Sequence, residues 1–244
     1  MYFMFICPLA HSIIKTHMNV NHRKKEFLMS ISYHAYLNRG YRFSVHEALA
    51  EQWTTSFTGY DPAPAAGTLH LKYDSQYLYI PYLYELYRLR LSDGLLEKEV
   101  PDGWQSDLYF NECMSVYHLL HYVREQAQIS GIWVPFESLE GHGYRQQAPD
   151  PLLVPFSRKF TGKIRELDAA CQKLGGIRLS RGDVPYQFEI FPRISMQMIF
   201  WDADEDFPAQ TQILVDKNIT DFVHTETIGC MISDLLEKLE SILP

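Results

Sequence analysis

Tyr186-Gln187-Phe188-Glu189-Ile190-Phe191-Pro192-Arg193-Ile194-Ser195-Met196-Gln197-Met198-Ile199-Phe200-Trp201 is the stretch on which the fold turns. Met196, Met198 and Phe200 alternate with Gln197 and Ile199, the two-residue period of a strand. Phe191-Pro192 splits the run into two strands, and Ile213, Leu214 and Val215 form a further short strand ending at Asp216. Residues 68–91 also read as strands. Leu69, Leu71 and Tyr73 alternate with polar neighbours, Asp74-Ser75 makes a turn, and Pro81 marks an edge or a break. Strands and helices do not follow one another in βαβ order. The expected fold is therefore α+β: one domain over residues 31–244, with a mostly antiparallel or mixed sheet packed with about four helices.

The helices are read from period and caps. Ile228, Met231, Ile232, Leu235, Leu236, Leu239 and Ile242 mark one face of a last helix. Ser44-Val45-His46-Glu47 is a capping box opening a helix that ends near Phe57. A helix from about Asn111 to Gln126 carries the stripe Val116, Leu119, Leu120 and Val123. His118 and His121 share a face of it, as two imidazoles for a metal or as the border of the stripe. Another helix from about Pro155 ends at the double glycine Gly175-Gly176. Asp61 to Gly67 is read as a Pro-rich loop, and Gly141-His142-Gly143-Tyr144 as a turn that places an imidazole between glycines. Six tyrosines between Tyr73 and Tyr87 offer an aromatic platform, though sheet core and rim account for them without a ligand.

Composition removes several classes. A chain with 46% hydrophobic and 21% charged residues has globular usage, and its net charge of −8 argues against a nucleic-acid-binding surface. Cysteines at 7, 113, 171 and 230 are too far apart for a CxxC metal site, and are read as thiols in a reducing cytoplasm. Met1 to Ile14 is apolar for its first ten residues. That is shorter than the ~20 residues of a membrane-spanning helix. It also lacks the basic start of a secretory signal. Residues 1–30 are read as an extension outside the fold, with Met18 or Met29 as the true start and a membrane-surface anchor as the alternative. No stable membrane insertion is expected.

The chemistry is concentrated in Trp201-Asp202-Ala203-Asp204-Glu205-Asp206-Phe207-Pro208-Ala209 and in His224-Thr225-Glu226 fifteen residues later. Asp202, Asp204 and Asp206 are spaced like the first ligands of a calcium loop, but Phe207 replaces its glycine and Ile213 its twelfth-position glutamate. A mixed divalent-metal site of His224, Glu226 and the aspartates suits iron, zinc or manganese. Solvated acids capping a turn are the plainer reading. The helix start at Thr225 or Glu226 offers amides to an anion, against the local acidity.

The ordered series Leu119-Leu120-His121-Tyr122, Gly131 through Leu139, Gly182-Asp183, Phe191-Pro192-Arg193, Trp201 through Ala209, and Leu214-Val215-Asp216 to His224-Thr225-Glu226 resembles the domain of unknown function 3786. The resemblance runs from about Ile31 to Leu243. It implies an uncharacterised protein similar to others across anaerobic prokaryotes. Some relatives carry an added iron–sulfur segment, whose cysteines this chain lacks, and the family supplies no catalytic residue to transfer. Three functional readings follow: a metal- or ligand-binding accessory protein of anaerobic metabolism; an enzyme with His224 as general base, oriented by Asp204 or Glu226; and a scaffold whose Tyr-rich sheet binds a protein partner.

Overall fold

The computed structural model describes residues 41–45, 47–139 and 150–242. The N-terminal extension and the Gly141–Tyr144 turn lie outside them. Six α-helices and two five-stranded antiparallel sheets make up the described α+β domain. The helices are α1 (Glu47–Ser56), α2 (Ala63–Leu69), α3 (Phe110–Tyr122), α4 (Leu153–Phe160), α5 (Ile164–Lys173) and α6 (Thr225–Ser241). The first sheet runs in chain order through β1 (Lys72–Tyr73), β2 (Tyr77–Tyr82), β3 (Glu85–Arg90), β4 (Leu96–Val100) and β5 (Gly103–Gln105). The second has β6 (Trp133–Pro135), β7 (Ile177–Arg178), β8 (Val184–Phe191), β9 (Ile194–Trp201) and β10 (Gln210–Asp216), in the order β6-β10-β9-β8-β7. Among the described residues no helix is long and apolar enough to cross a membrane.

The deciding stretch forms the β8–β9 hairpin, with Phe191 opposite Ile194. Pro192 and Arg193 make its turn, and Arg193 takes a left-handed φ of 72° that a turn usually gives to glycine. Its guanidinium donates to the Thr68 carbonyl at the end of α2, which holds that conformation in place. The β2–β3 turn is stranger still. Leu83 and Tyr84 both have positive φ, 48° and 66°, where a two-residue hairpin turn normally wants Asn-Gly. Tertiary contacts offset this strain: Leu83 N donates to Ile190 O of β8 (2.9 Å), Glu189 N donates to the Tyr84 hydroxyl (3.2 Å), and that hydroxyl reaches Gly175 O (3.3 Å). The tip of the first sheet is thereby pinned to the second, and one core cluster extends from Phe43 to Leu239.

Three sequence expectations are corrected. The Pro-rich run is a helix, because proline is tolerated in a first turn and Asp61 Oδ1 accepts from Ala63 N (3.1 Å). The helix expected to run from Pro155 is two helices, broken where Gly162 takes φ 73°. The helix expected just after Ser44 begins at Glu47; Ser44 lies in a 3₁₀ turn ahead of it and its hydroxyl donates to Asp107 (3.1 Å).

The double glycine does end α5, with Gly175 N and Gly176 N donating to Gln172 O and Cys171 O. A Cβ on Gly176 would lie 2.6 Å from a Phe188 ring carbon and 2.9 Å from one of Tyr186. Gly176→Ala is expected to destabilise by about 1–3 kcal/mol. Gly67→Ala, inside α2 with nothing within 4 Å, is expected to stabilise by roughly 0.5–1 kcal/mol. Urea midpoints decide: equal signs for the two variants refute the packing argument.

Candidate functional site

The acidic turn follows β9, and its aspartates bind backbone amides of the turn itself and of the loop between α4 and α5. Asp202 Oδ1 accepts from Gly162 N (2.9 Å) and Ala203 N (2.8 Å). Asp204 Oδ1 accepts from Asp206 N (2.9 Å) and Phe207 N (2.7 Å), a turn closed by its own side chain. Asp204 and Asp206 are exposed.

His224 and Glu226 sit elsewhere, at the start of α6. His224 is the N-cap, with its Nδ1 accepting from Glu226 N at 3.4 Å, so the first-turn amide expected to await an anion already has a partner. Glu226 Oε2 is 3.8 Å from the same Nδ1, but burial lowers the imidazole pKa and raises the carboxyl pKa, so neither favours an ion pair. The His224 ring lies 5.2 Å from that of Tyr122, which His118 and His121 also flank. His118 is buried, with its pKa lowered to about 3 by desolvation and by the neighbouring histidines, and its Nδ1 lies 2.7 Å from Thr227 Oγ1. His118 thus sits in the seam between α3 and α6, with His121 and His224 beside Tyr122. Among the described residues no group of three or more His, Cys, Asp or Glu side chains is placed to hold a metal ion, so the five candidates are not gathered into one such site.

A different cluster lies at the opposite end of the same two helices. α3 and α6 pack antiparallel, with Tyr122 beside His224, His118 beside Thr227, and Asn111 beside Asp234. At the Asn111 end a cavity of about 200 Å³ is lined by Lys98, Asn111, Glu112, Asp234, Glu237 and Lys238 among others. Asp234 is 7% exposed. The Tyr82 hydroxyl donates to its Oδ2 (2.7 Å) and lies 3.2 Å from the Ser115 hydroxyl, while the Asn111 amide donates to the same carboxyl. Burial raises the Asp234 pKa to about 8; Tyr82 and Asn111 restrain the rise, and the carboxylates of Glu112 and Glu237 add to it. The group is mostly neutral at neutral pH.

Glu112 is buried and saturated. It accepts from Tyr87 (2.9 Å), from Lys98 (2.9 Å) and from the Tyr109 amide at the start of α3 (3.1 Å). Lys98 also pairs with Glu85 (2.9 Å), which Lys238 reaches from α6. Burial lowers the Lys98 pKa, but Glu112 and Glu85 outweigh it and the net shift is upward. Glu85 is the mirror case, raised by burial and brought below its usual value by Lys238 and Lys98. Asn111 is the exception to this saturation: it is 6% exposed and its Oδ1 has no hydrogen-bond partner. A buried acceptor left unpaired costs about 1–3 kcal/mol.

These residues escaped the sequence reading because none forms a motif. One signal was present: Asp234 stands three residues after Met231 and one before Leu235, inside the apolar face of α6, where a carboxylate needs an explanation.

The raised pKa fixes a sign. Above about pH 4 the unfolded chain gives up a proton that native Asp234 keeps until about pH 8. The contribution of this proton is complete below that window and is lost as pH rises through it, with a limiting slope of about 1.4 kcal/mol per pH unit. Asp234→Asn cannot ionise, so its stability relative to the parent protein should improve from about pH 5 to about pH 8. Urea titrations of both proteins across that range check this; parallel pH profiles would mean that Asp234 is not held neutral.

Comparison with curated proteins and with solved structures returned no match. The sequence profile of one family, described as a domain of unknown function (DUF3786), matches residues 61–237, well over half of the chain. That span takes in β2 to β4, α3 and Asp234, and so most of the polar cluster. The chain belongs to the DUF3786 family.

Proposed function

We propose that this protein binds a small polar molecule in the cavity between α3 and α6, with Asn111 and Asp234 as the recognition groups. The observation that carries this reading is the Asn111 Oδ1 acceptor, buried, unpartnered and next to a carboxyl that burial keeps neutral. Folding alone does not favour such a pair of groups; an apolar pair would cost less. Concave sites with a few convergent polar groups are the usual form of small-molecule sites. At ~30 Å³ per water, the cavity has the volume of about seven waters, which limits the ligand to a compact molecule.

This keeps the ligand-binding half of the accessory-protein expectation and moves it away from His224. The general-base reading has less support, since His224 Nδ1 caps α6 and meets Glu226 through its backbone amide. The aromatic platform is also less open than the tyrosine count implies. Arg88 lies 4.0 Å from the Tyr77 ring centroid and 3.9 Å from that of Trp104, and it pairs with Glu97 (2.7 Å).

The test is an NMR screen of the full chain with polar fragments of about ten non-hydrogen atoms or fewer. Hits should shift amides at the start of α3 and the end of α6, and Ser241→Trp, which adds bulk beside the cavity at an exposed position, should weaken them by about ten-fold or more. Hits that ignore Ser241→Trp, or a screen without hits at these amides, would sink the reading.

A further inference from the structure

Charge accounting around the cavity narrows the ligand. Four carboxyl groups gather there: Glu85, Glu112, Asp234 and Glu237. Two cations face them, and both are engaged: Lys98 with Glu85 and Glu112, and Lys238 with Glu85. Among the described residues no basic side chain pairs with Asp234 or Glu237. With Asp234 protonated the cluster already lacks a cation for Glu237, and ionised Asp234 would lack one too.

The unpartnered group points the same way. Asn111 presents an oxygen, which accepts hydrogen bonds and does not donate them. Asp234, once ionised, adds a second acceptor beside it. A ligand that satisfies both brings several N–H donors and a positive charge. Apolar surface is close by, from Phe110 and Tyr41 on the cavity lining, while the Tyr109 ring already carries the Arg42 guanidinium 4.1 Å from its centroid. Aromatic faces favour a cation and cover an aliphatic stem. A bare metal ion fits less well, because the described residues hold no group of three ligating side chains.

We propose, resting on the pocket reading above, that the ligand is a small organic cation: a primary ammonium group on a short apolar stem, received by Asp234 and Asn111. On binding, Asp234 gives its proton to solvent and the ammonium takes over the charge balance. The groups facing Asp234 that set this exchange are Glu112 and Cys113 from α3, Tyr82 from β2, and Cys230 and Glu237 from α6. Burial holds both thiols well above the ordinary range, so they stay neutral while Asp234 titrates.

The experiment uses n-butylammonium, butyrate and 1-butanol as probes, titrated calorimetrically into the full chain. n-Butylammonium should bind at least about ten-fold more tightly than the other two, a difference of ~1.4 kcal/mol. Its affinity should rise with pH up to about 8 and then level. Paired titrations in phosphate and Tris near neutral pH should show close to one proton released per ligand. Glu237→Gln, on a half-buried side chain, should weaken n-butylammonium several-fold, and Asp234→Asn should abolish the proton release. A structural role for Asp234 would move neither the release nor the pH profile of binding. Butyrate or butanol binding as tightly as n-butylammonium, with Ser241→Trp still blocking it, overturns the cation assignment and leaves the pocket standing. n-Butylammonium binding that Ser241→Trp leaves unchanged overturns the pocket itself. No binding by any probe overturns the cation assignment, and the fragment screen then judges the pocket separately.

Discussion

Tyr82 is where the parts of this molecule meet. Its backbone ends β2 in the first sheet, and its ring stacks on Phe191 of the second at 4.4 Å. Its hydroxyl donates to Asp234 on α6 and touches Ser115 on α3. The side chain is fully buried, and both sheets and both central helices are positioned against it. The strained Leu83-Tyr84 turn follows directly in the chain, so the clamp on β8 and the hydrogen bond to Asp234 act on neighbouring residues. A phenol is suited to this place because it carries a large apolar body and one polar tip.

On the proposed reading the polar cluster around it is more than a support. Buried ionic groups that are fully paired are at best neutral for stability, and partly paired ones are costly. Glu85, Glu112, Lys98 and Lys238 form the paired part. Asp234, hydrogen-bonded by Tyr82 and Asn111 but met by no basic side chain among the described residues, and Asn111, whose Oδ1 has no partner, border the cavity. A domain selected for stability alone would fill that space with apolar side chains of similar volume. Perturbed pKa values and unsatisfied groups concentrate at functional sites for the same reason: a site must leave something for its ligand to satisfy.

Several of the segments that carry the family resemblance make hydrogen bonds that brace the fold. Asp216, at the end of β10, accepts from Ser130 N (3.0 Å), Gly131 N (2.7 Å) and Asn218 N (2.8 Å), and so fastens the loop before β6. Asp183 accepts from Asp202 N (2.8 Å), and a Cβ on Gly182 would fall 2.6 Å from Ile199. The acidic turn that dominated the sequence is a surface loop braced by its own aspartates, because aspartate next to free backbone amides closes turns.

What the sequence determined alone was the local order of the chain. The two-residue period of Met196, Met198 and Phe200 was enough for β9, and the 3.6-residue period from Ile228 to Ile242 was enough for α6, because each depends only on which face is apolar. It was also enough to exclude a calcium loop and a CxxC cluster, since those need particular residues at particular spacings. Sequence reading failed where a neighbour distant in the chain, or a backbone angle, decides the outcome. Gly162 breaks a helix that its side chains would continue. Leu83 and Tyr84 form a turn that only β8 makes tolerable. The cavity is the extreme case: Lys98, Asn111 and Asp234 come from a strand and two helices, and neither their charge balance nor the unpartnered oxygen exists until packing removes them from water. Tertiary structure decided the site because burial, which shifts the Asp234 pKa and isolates Asn111, is a property of the assembled core and of no single segment.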